Sequence, residues 1–449
     1  MSHFTLRTEE LKMRRRTMQT LVAVSAVSLL TSGCLSSGSS GSSGGGKGSN
    51  SKSIELMLGF SGEQLDQFKK SVDPYAKSQG ITIKWSPTDN FNQLINTRVQ
   101  GNNPPDIAMF PQPGILLDLA KKGRLASLDS FLDMSTLQNS MTSGTLDTGT
   151  ANGHLYGLLV SMNVKSLVYY PKKAFTAAGY TPPKSIPELL ALTDKIRTQG
   201  KTPWCMGIES GPATGWPATD WMEELVLKYG GVDQYNKWVK NEVKFNSPLV
   251  RKAAGTFQQI FATPGNVLGG RKSIAGNNFG TAGNPMFKAT PGCYMFKQGN
   301  FVAAKGFFPD SVIADIDNQV GVFGFPPATA GGDNPVEGGG DLAALFNKNN
   351  KAAQKILKYM STKDFAKDDA KTGAYISPHK DFDVSAYPTQ TIRDIAEIGY
   401  KSTAFAFDGS DAMPGAVGSG SFWKDMTAWI SGGKSLDGAL KDIDASYPK

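Results

Sequence analysis

The sequence predicts an α/β protein organised as two domains. Two observations predict it. Short apolar runs with strand character are repeatedly followed by stretches with helical spacing. The stretch from Ser53 to Lys449 is also longer than a single domain of common size. Strands alternating with helices point to parallel, doubly wound sheets, where ligands sit beyond the C-terminal strand ends.

The elements follow in order. SIELMLGF (53–60) reads as a strand, and SGEQLDQFKKSVDPYAKSQG continues as a helix with Leu65 and Phe68 three apart. ITIKWS alternates as a second strand, FNQLINTRVQGN is helical, DIAMF (106–110) is a third strand, and GILLDLAKKGRL is a helix ended by Gly123. The strand-end rule puts Phe60, Ser61 and the loop 110–114, with Gln112, at a candidate site. Further on, SLVYY is a strand and PKKAFTAAGY a helix with Pro171 at its start. SIPELLALTDKIRTQG carries a capping box, Ser185 with Glu188, and stops at Gly200. TPWCMGI, GCYMF and GVFGFP read as strands, and DWMEELVLKYGG, PLVRKAAGTFQQIF and KAAQKILKYMS as helices. SFWKDMTAWISGG and SLDGALKDIDASYP close the chain as two capped helices.

The N-terminus has a different logic. Lys12 and Arg14–Arg16 precede the apolar run Leu21–Leu30, which is too short to span a bilayer; small residues then lead to Cys34. That is the layout of a secretory signal over residues 1–33. LLTSGC resembles the bacterial lipobox, with Thr31 where the motif prefers Leu, and the resemblance implies lipidation of Cys34. Residues 34–52 then form a Ser/Gly tether that buries nothing. GSSGGGKG within it has the spacing of a phosphate-binding loop, but it lacks the Ser/Thr after Lys47 and the flanking strand and helix, so it reads as linker.

Composition narrows the function. The net charge of +8 is spread along the chain without a Lys/Arg stripe, so no nucleic-acid partner is expected. His154 and His379 are the histidines beyond the signal, and no Cys-x-x-Cys, His-Glu-x-x-His or Gly-x-Ser-x-Gly is present. No metal, cofactor or catalytic constellation is therefore expected. Cys205 and Cys293 remain as an even pair in an exported chain, which suggests a disulfide; buried free thiols are the alternative. Such a bridge closes a loop of about 90 residues, for roughly 4–5 kcal/mol on the chain-entropy account.

NGHLYGLLVSMNVKSLVYYPKKAFTAAGYTPPKSIPELL, GWPATDWMEELVLKYGG, GCYMFKQGNF, VEGGGDLAALF and MPGAVGSGSFWKDMTAWISGG together resemble the extracellular solute-binding proteins of ATP-binding-cassette sugar importers, the α-glucoside branch most of all. The resemblance covers nearly all of 53–449. It implies a two-lobed periplasmic-binding-protein-like fold of type II, each lobe a sheet flanked by helices, with a multi-segment hinge. Lobe 1 is expected at 53–163 and 327–372, and lobe 2 at 164–326 and 373–449. Leu159 stands where the family strand often has Pro.

The resemblance also implies a sugar site. Aromatic faces cover sugar CH faces, and carboxylates or amides bind hydroxyls. GWPATDW offers Trp216, Asp220 and Trp221, although a tryptophan opening a helix also suits a core. GSFW offers Trp423; GNF offers Asn300 and Phe301, the latter replacing the family's Trp. In EGGGD, Gly339 and its neighbours allow close backbone approach and Asp341 follows, which also fits a plain turn; Asn163 sits at the first crossover. Gln112, Phe60 and Ser61 complete the set. The expected protein is a lipid-anchored monomer on the outer face of the membrane. It captures a sugar by hinge closure and passes it to a permease with its ATPase. The alternatives are a non-sugar solute on the same fold, or a secreted glycoside hydrolase using two of the carboxylates.

Overall fold

The computed structural model describes residues 52–448. The signal, Cys34 and nearly all of the tether lie outside the described residues. Within them no helix is long and apolar enough to cross a membrane.

The first sheet begins with β1 (Ser53–Leu58), α1 (Gly62–Ser78), β2 (Thr82–Pro87), α2 (Phe91–Gln100), β3 (Ile107–Phe110) and α3 (Pro113–Lys121). β1 pairs in parallel with both β2 and β3, the doubly wound start expected from the alternation. After α4 (Met134–Ser140) and a small hairpin of β4 (Thr150–Ala151) and β5 (His154–Leu155), β6 (Gly157–Val164) closes the first passage. The chain crosses at Lys165–Ser166 into β7 (Leu167–Pro171), followed by α5 (Lys172–Ala177), α6 (Ile186–Thr198), α7 (Trp216–Val239) and α8 (Pro248–Ala262). Then come β8 (Phe296–Lys297), α9 (Asp310–Ile313), α10 (Ile316–Gln319) and β9 (Val320–Gly324). The Ser185 cap is present: its hydroxyl accepts from the Glu188 N–H at 3.3 Å, while the Glu188 carboxylate reaches back to the Lys184 N–H.

A return passage leads to β10 (Val336–Leu345), the long strand that joins the first sheet antiparallel to both β3 and β6. α11 (Lys351–Met360), α12 (Lys367–Ala370), α13 (Gln390–Tyr400) and β11 (Phe405–Phe407) follow. β11 runs parallel to the start of β10. The chain then leaves through Asp408 into α14 (Gly409–Ala412), a wide π-turn at Ala416–Phe422, α15 (Trp423–Ser431) and α16 (Leu436–Ala445). The stretch after residue 372 serves both bodies, since α13 packs on β9 while β11 extends the first sheet. The expected boundary at 372/373 thus does not divide the packing cleanly.

The second sheet, β8-β7-β9, is wholly antiparallel, which corrects the expectation of parallel pairing in this half. β8 and β9 reach β7 after long helical excursions, not single-helix crossovers, so nothing imposes the parallel sense. TPWCMGI is not a strand. Trp204 makes isolated bridges to Val267 and Met295, and Pro203 offers only its carbonyl, which takes the N–H groups of Tyr294 and Met295. Beside it Cys205 and Cys293 form a disulfide, with Cα atoms 5.4 Å apart.

Leu56, Ile95, Ile107, Phe110, Leu342 and Ile356 centre the first core, which continues beneath β7 through Leu167 and Tyr169. Val168, pointing the opposite way, belongs to the second core with Trp221, Leu225, Phe257 and Phe422. The two-residue period of one strand therefore feeds two cores.

Candidate binding site

A depression of about 330 Å³ opens at the C-terminal ends of β1, β2 and β3, lined by Gly59, Asp89–Gln93, Pro111 and Gln112. This is where strand-end reasoning placed a ligand. Gln112 holds the N-cap position of α3 but makes no capping bond. Its carbonyl accepts from the Asn92 amide, and its amide donates to Asp411 Oδ1 at 3.0 Å, linking α3 to α14. Phe60 turns from the depression to pack edge-on against Phe68, and Ser61 is exposed at the start of α1. A larger hollow, about 920 Å³, lies among 234–249 and 441–445, away from every expected site residue.

The β6–β10 ladder supplies a polar stripe. Cross-strand partners share a face, and the register pairs Asn163 with Gly339 and Ser161 with Asp341. The Ser161 hydroxyl donates to Asp341 Oδ2 at 3.0 Å, and burial pushes the Asp341 carboxyl above its usual range. Asn163 is half-buried. Gly338 and Gly340 are glycines for a reason other than ligand approach. A Cβ at either would collide with the facing β6 carbonyls of Asn163 and Ser161, and Gly340 has φ +144°. Gly339 is the open one, its would-be Cβ 4.0 Å from Lys165 Cε.

α7 sorts its side chains by helical angle. Trp216 and Asp220 are one turn apart and share a face. Trp216 is half-buried, edge-on to Phe279 at 5.0 Å and Phe301 at 6.1 Å, with Lys165 Nζ 4.9 Å from its ring centre. Trp221 is a core residue, stacked on Phe257 at 5.3 Å and edge-on to Trp204, so it is removed from the sugar-contact set. Asn300 is removed too. It is fully buried, its Oδ1 accepts from the Val164 N–H at 2.9 Å, and it braces the first crossing. Trp423 follows the π-turn half-buried, its Nε1 donating to Ser410 Oγ at 3.2 Å. Its carbonyl lies where a Gly215 side chain would sit, so the start of α15 packs against the start of α7.

Asp220 is not a free hydroxyl ligand. Its carboxylate is buried and 3.1 Å from Lys165 Nζ, which also pairs with Asp408. Burial pushes Asp220 up to about 6 against the pull of Lys165, with Asp408 adding to the rise. Burial alone would depress Lys165, yet Asp220 and Asp408 hold it well above its ordinary value. Asp411 is pushed up to about 8 by burial and by Asp408. Carboxylate oxygens of Asp220, Glu223, Glu337 and Asp408 lie within 4.8 Å of one another, a spacing that would suit a cation. Lys165 already supplies that cation, and both Glu223 oxygens accept backbone N–H groups of Gly409 and Ser410. Sequence reasoning missed Lys165, Asn92, Asp408 and Asp411. Only Lys165 left a signal, a lone cation between two apolar strand runs.

Two sheets joined by three chain crossings define a two-lobed receptor-type fold. Residues 61–367 match the profile of the bacterial extracellular solute-binding proteins, and the chain belongs to that family. It is 36% identical over 399 residues to the osmoprotective compounds-binding protein GgtB of Synechocystis, covering 89% of this chain and 93% of that one. It is 34% identical over 394 residues to the alpha-glucosides-binding periplasmic protein AglE of Rhizobium meliloti, covering 86% and 85%. Among solved structures, the bacterial solute receptor AcbH superposes with a TM-score of 0.73 at 21% identity over 88% of this chain and 97% of its own. The sugar-binding protein MalE of Xanthomonas citri gives 0.70 at 14%, over 88% and 95%. These two establish the fold. The relatives are binding proteins rather than enzymes.

Proposed function

We propose that this protein captures a small glycoside, an α-glucoside first of all, and delivers it to the permease and ATPase of an ATP-binding-cassette importer. The name of one relative, AglE, points to alpha-glucosides, and that of the other, GgtB, to osmoprotective compounds. One observation carries the reading: two half-buried tryptophans, Trp216 and Trp423, open neighbouring helices of the second body, while Gln112, Asn163 and Asp341 stand on the first sheet, Gln112 already reaching Asp411. Stacking would hold the CH faces, the amides and carboxylate would take hydroxyls, and Asn92 and Asp411 would join them once their link through Gln112 opens. Lobe 1 then comprises 53–163 and 327–372 with β11, and lobe 2 the remainder, the lobes closing over the sugar. Cys34, diacylated, tethers the receptor to the outer membrane face, since stable anchoring takes at least two chains. It works as a monomer.

Calorimetry with maltose, trehalose, sucrose and longer α-glucosides tests this. Binding tighter than millimolar by at least one is expected. If none binds while a non-sugar solute raises the melting temperature, the receptor reading stands and the sugar reading falls.

A further inference from the structure

Each of the three crossings between the bodies places a charged side chain in one buried cluster: Lys165 from the first, Glu337 from the second and Asp408 from the third. α7 adds Asp220, Glu223, Glu224 and Lys228, β8 adds Lys297, and Asp411 follows Asp408. Six carboxyls thus face three ammonium groups, all of them buried except the half-buried Asp411.

Hydrogen-bond accounting locates the imbalance. Asp220 and Asp408 share Lys165. Glu223 accepts the Gly409 N–H at 2.5 Å, the Ser410 N–H at 3.2 Å and the Tyr235 hydroxyl at 3.4 Å. Glu224 accepts from Ser166 Oγ at 2.9 Å and pairs with Lys228 at 3.2 Å. Asp411 accepts from Gln112. Glu337 has the fewest partners. Its Oε2 is 3.5 Å from Lys297 Nζ and its Oε1 is buried with no hydrogen-bond partner; Glu224 Oε2 also lacks a hydrogen bond, but lies 3.5 Å from Lys297 Nζ on a carboxylate whose other oxygen has two donors. A carboxylate oxygen so placed bears its full desolvation cost, which protonation removes, and oxygens of Asp220, Glu223 and Asp408 lie within 4.8 Å.

We infer that Glu337 is held as a neutral acid in this arrangement, and that its proton acts as a latch on the hinge. Its loss would set a negative charge where β10 meets α7, against Asp220 and Glu223 of the other body, and opening the bodies to water relieves that repulsion. Burial pushes both Glu337 and Glu223 well above the usual carboxylate range, in the same sense. Acid therefore favours the arrangement in which the cluster is buried, and alkali favours opening it to water. The inference rests on the hinged receptor proposed above, but its tests use no ligand, so failure to find a sugar and failure of the latch are distinguishable.

The test is a pH titration of the ligand-free protein by infrared spectroscopy, for the carbonyl stretch of a protonated carboxyl, and by small-angle scattering. The wild type should retain the band at about pH 7, far above where a free glutamate loses it. Its radius of gyration should rise as the pH is taken above the range in which a free glutamate titrates. Glu337→Gln keeps the size and a donor; its band should be smaller than that of the wild type by the Glu337 component, Glu223 and Asp411 supplying the rest, and its radius should stay constant. A band lost by about pH 5 in the wild type, a flat wild-type radius, or a Gln variant that still responds would each overturn the latch. So would a chelator-sensitive rise in melting temperature with calcium, which would make the cluster a cation site. Should the Gln variant fail to fold, the wild-type titration decides alone.

Discussion

Trp216 and Trp221 stand five residues apart on α7, which turns them about 140° from each other. One face looks towards Lys165 and Phe279, the other into the second core. Trp216→Ala and Trp423→Ala should each weaken sugar binding by roughly 1–3 kcal/mol in calorimetry, the scale of other stacking contacts, while melting close to the wild type. Trp221→Ala should do the reverse, costing about 3–5 kcal/mol of stability in denaturant unfolding. The sequence displayed both rings in GWPATDW but not the direction of the core, because residues 216–228 of this helix are buried nearly all round. Asn300 misled for a related reason: a polar residue in a Gly-Asn turn looks like a ligand group until a neighbouring backbone N–H claims it. Asp411 was illegible in GSDAMPG, since its partner Gln112 lies 299 residues away.

At the scale of elements, the parallel start of the first sheet was readable because each strand and helix there is local and carries its own period. The antiparallel second sheet was not, because its pairings join segments separated by whole helices. β10 depends on its glycines: Gly340→Ala would press a methyl group onto the Ser161 carbonyl at a positive φ, and a fall in melting temperature is expected, with loss of the Ser161–Asp341 contact. β1 and α2 are tied by the two-pronged contact of Arg98 with Glu55, at 2.8 and 2.9 Å. Hydrogen bonding to Arg98, first of all, lowers Glu55 from 4.5 to about 2 against the opposing effect of burial. Its contribution is therefore complete above about pH 4.5 and is lost as the pH falls towards 2. Thermal melting between those limits should be steeper for the wild type than for Glu55→Gln.

For the whole molecule, Cys34→Ser should move the protein from the membrane fraction to the medium; retention in the membrane would defeat the anchor. Reduction of Cys205–Cys293 should lower the melting temperature without abolishing the fold, because two cores remain. The position of β10 has a consequence for how the molecule is made. β3 pairs with β1 on one edge and with β10 on the other, and β10 arrives more than two hundred residues later. A chain emerging N-terminus first therefore presents β3 as an open sheet edge throughout the export of everything between them, and such edges recruit foreign strands. The second core cannot close meanwhile either, because it includes Phe422, Trp429 and Leu440 from the end of the chain. Secretion thus leaves both bodies waiting on late segments, the first for β10 and β11 and the second for α15 and α16.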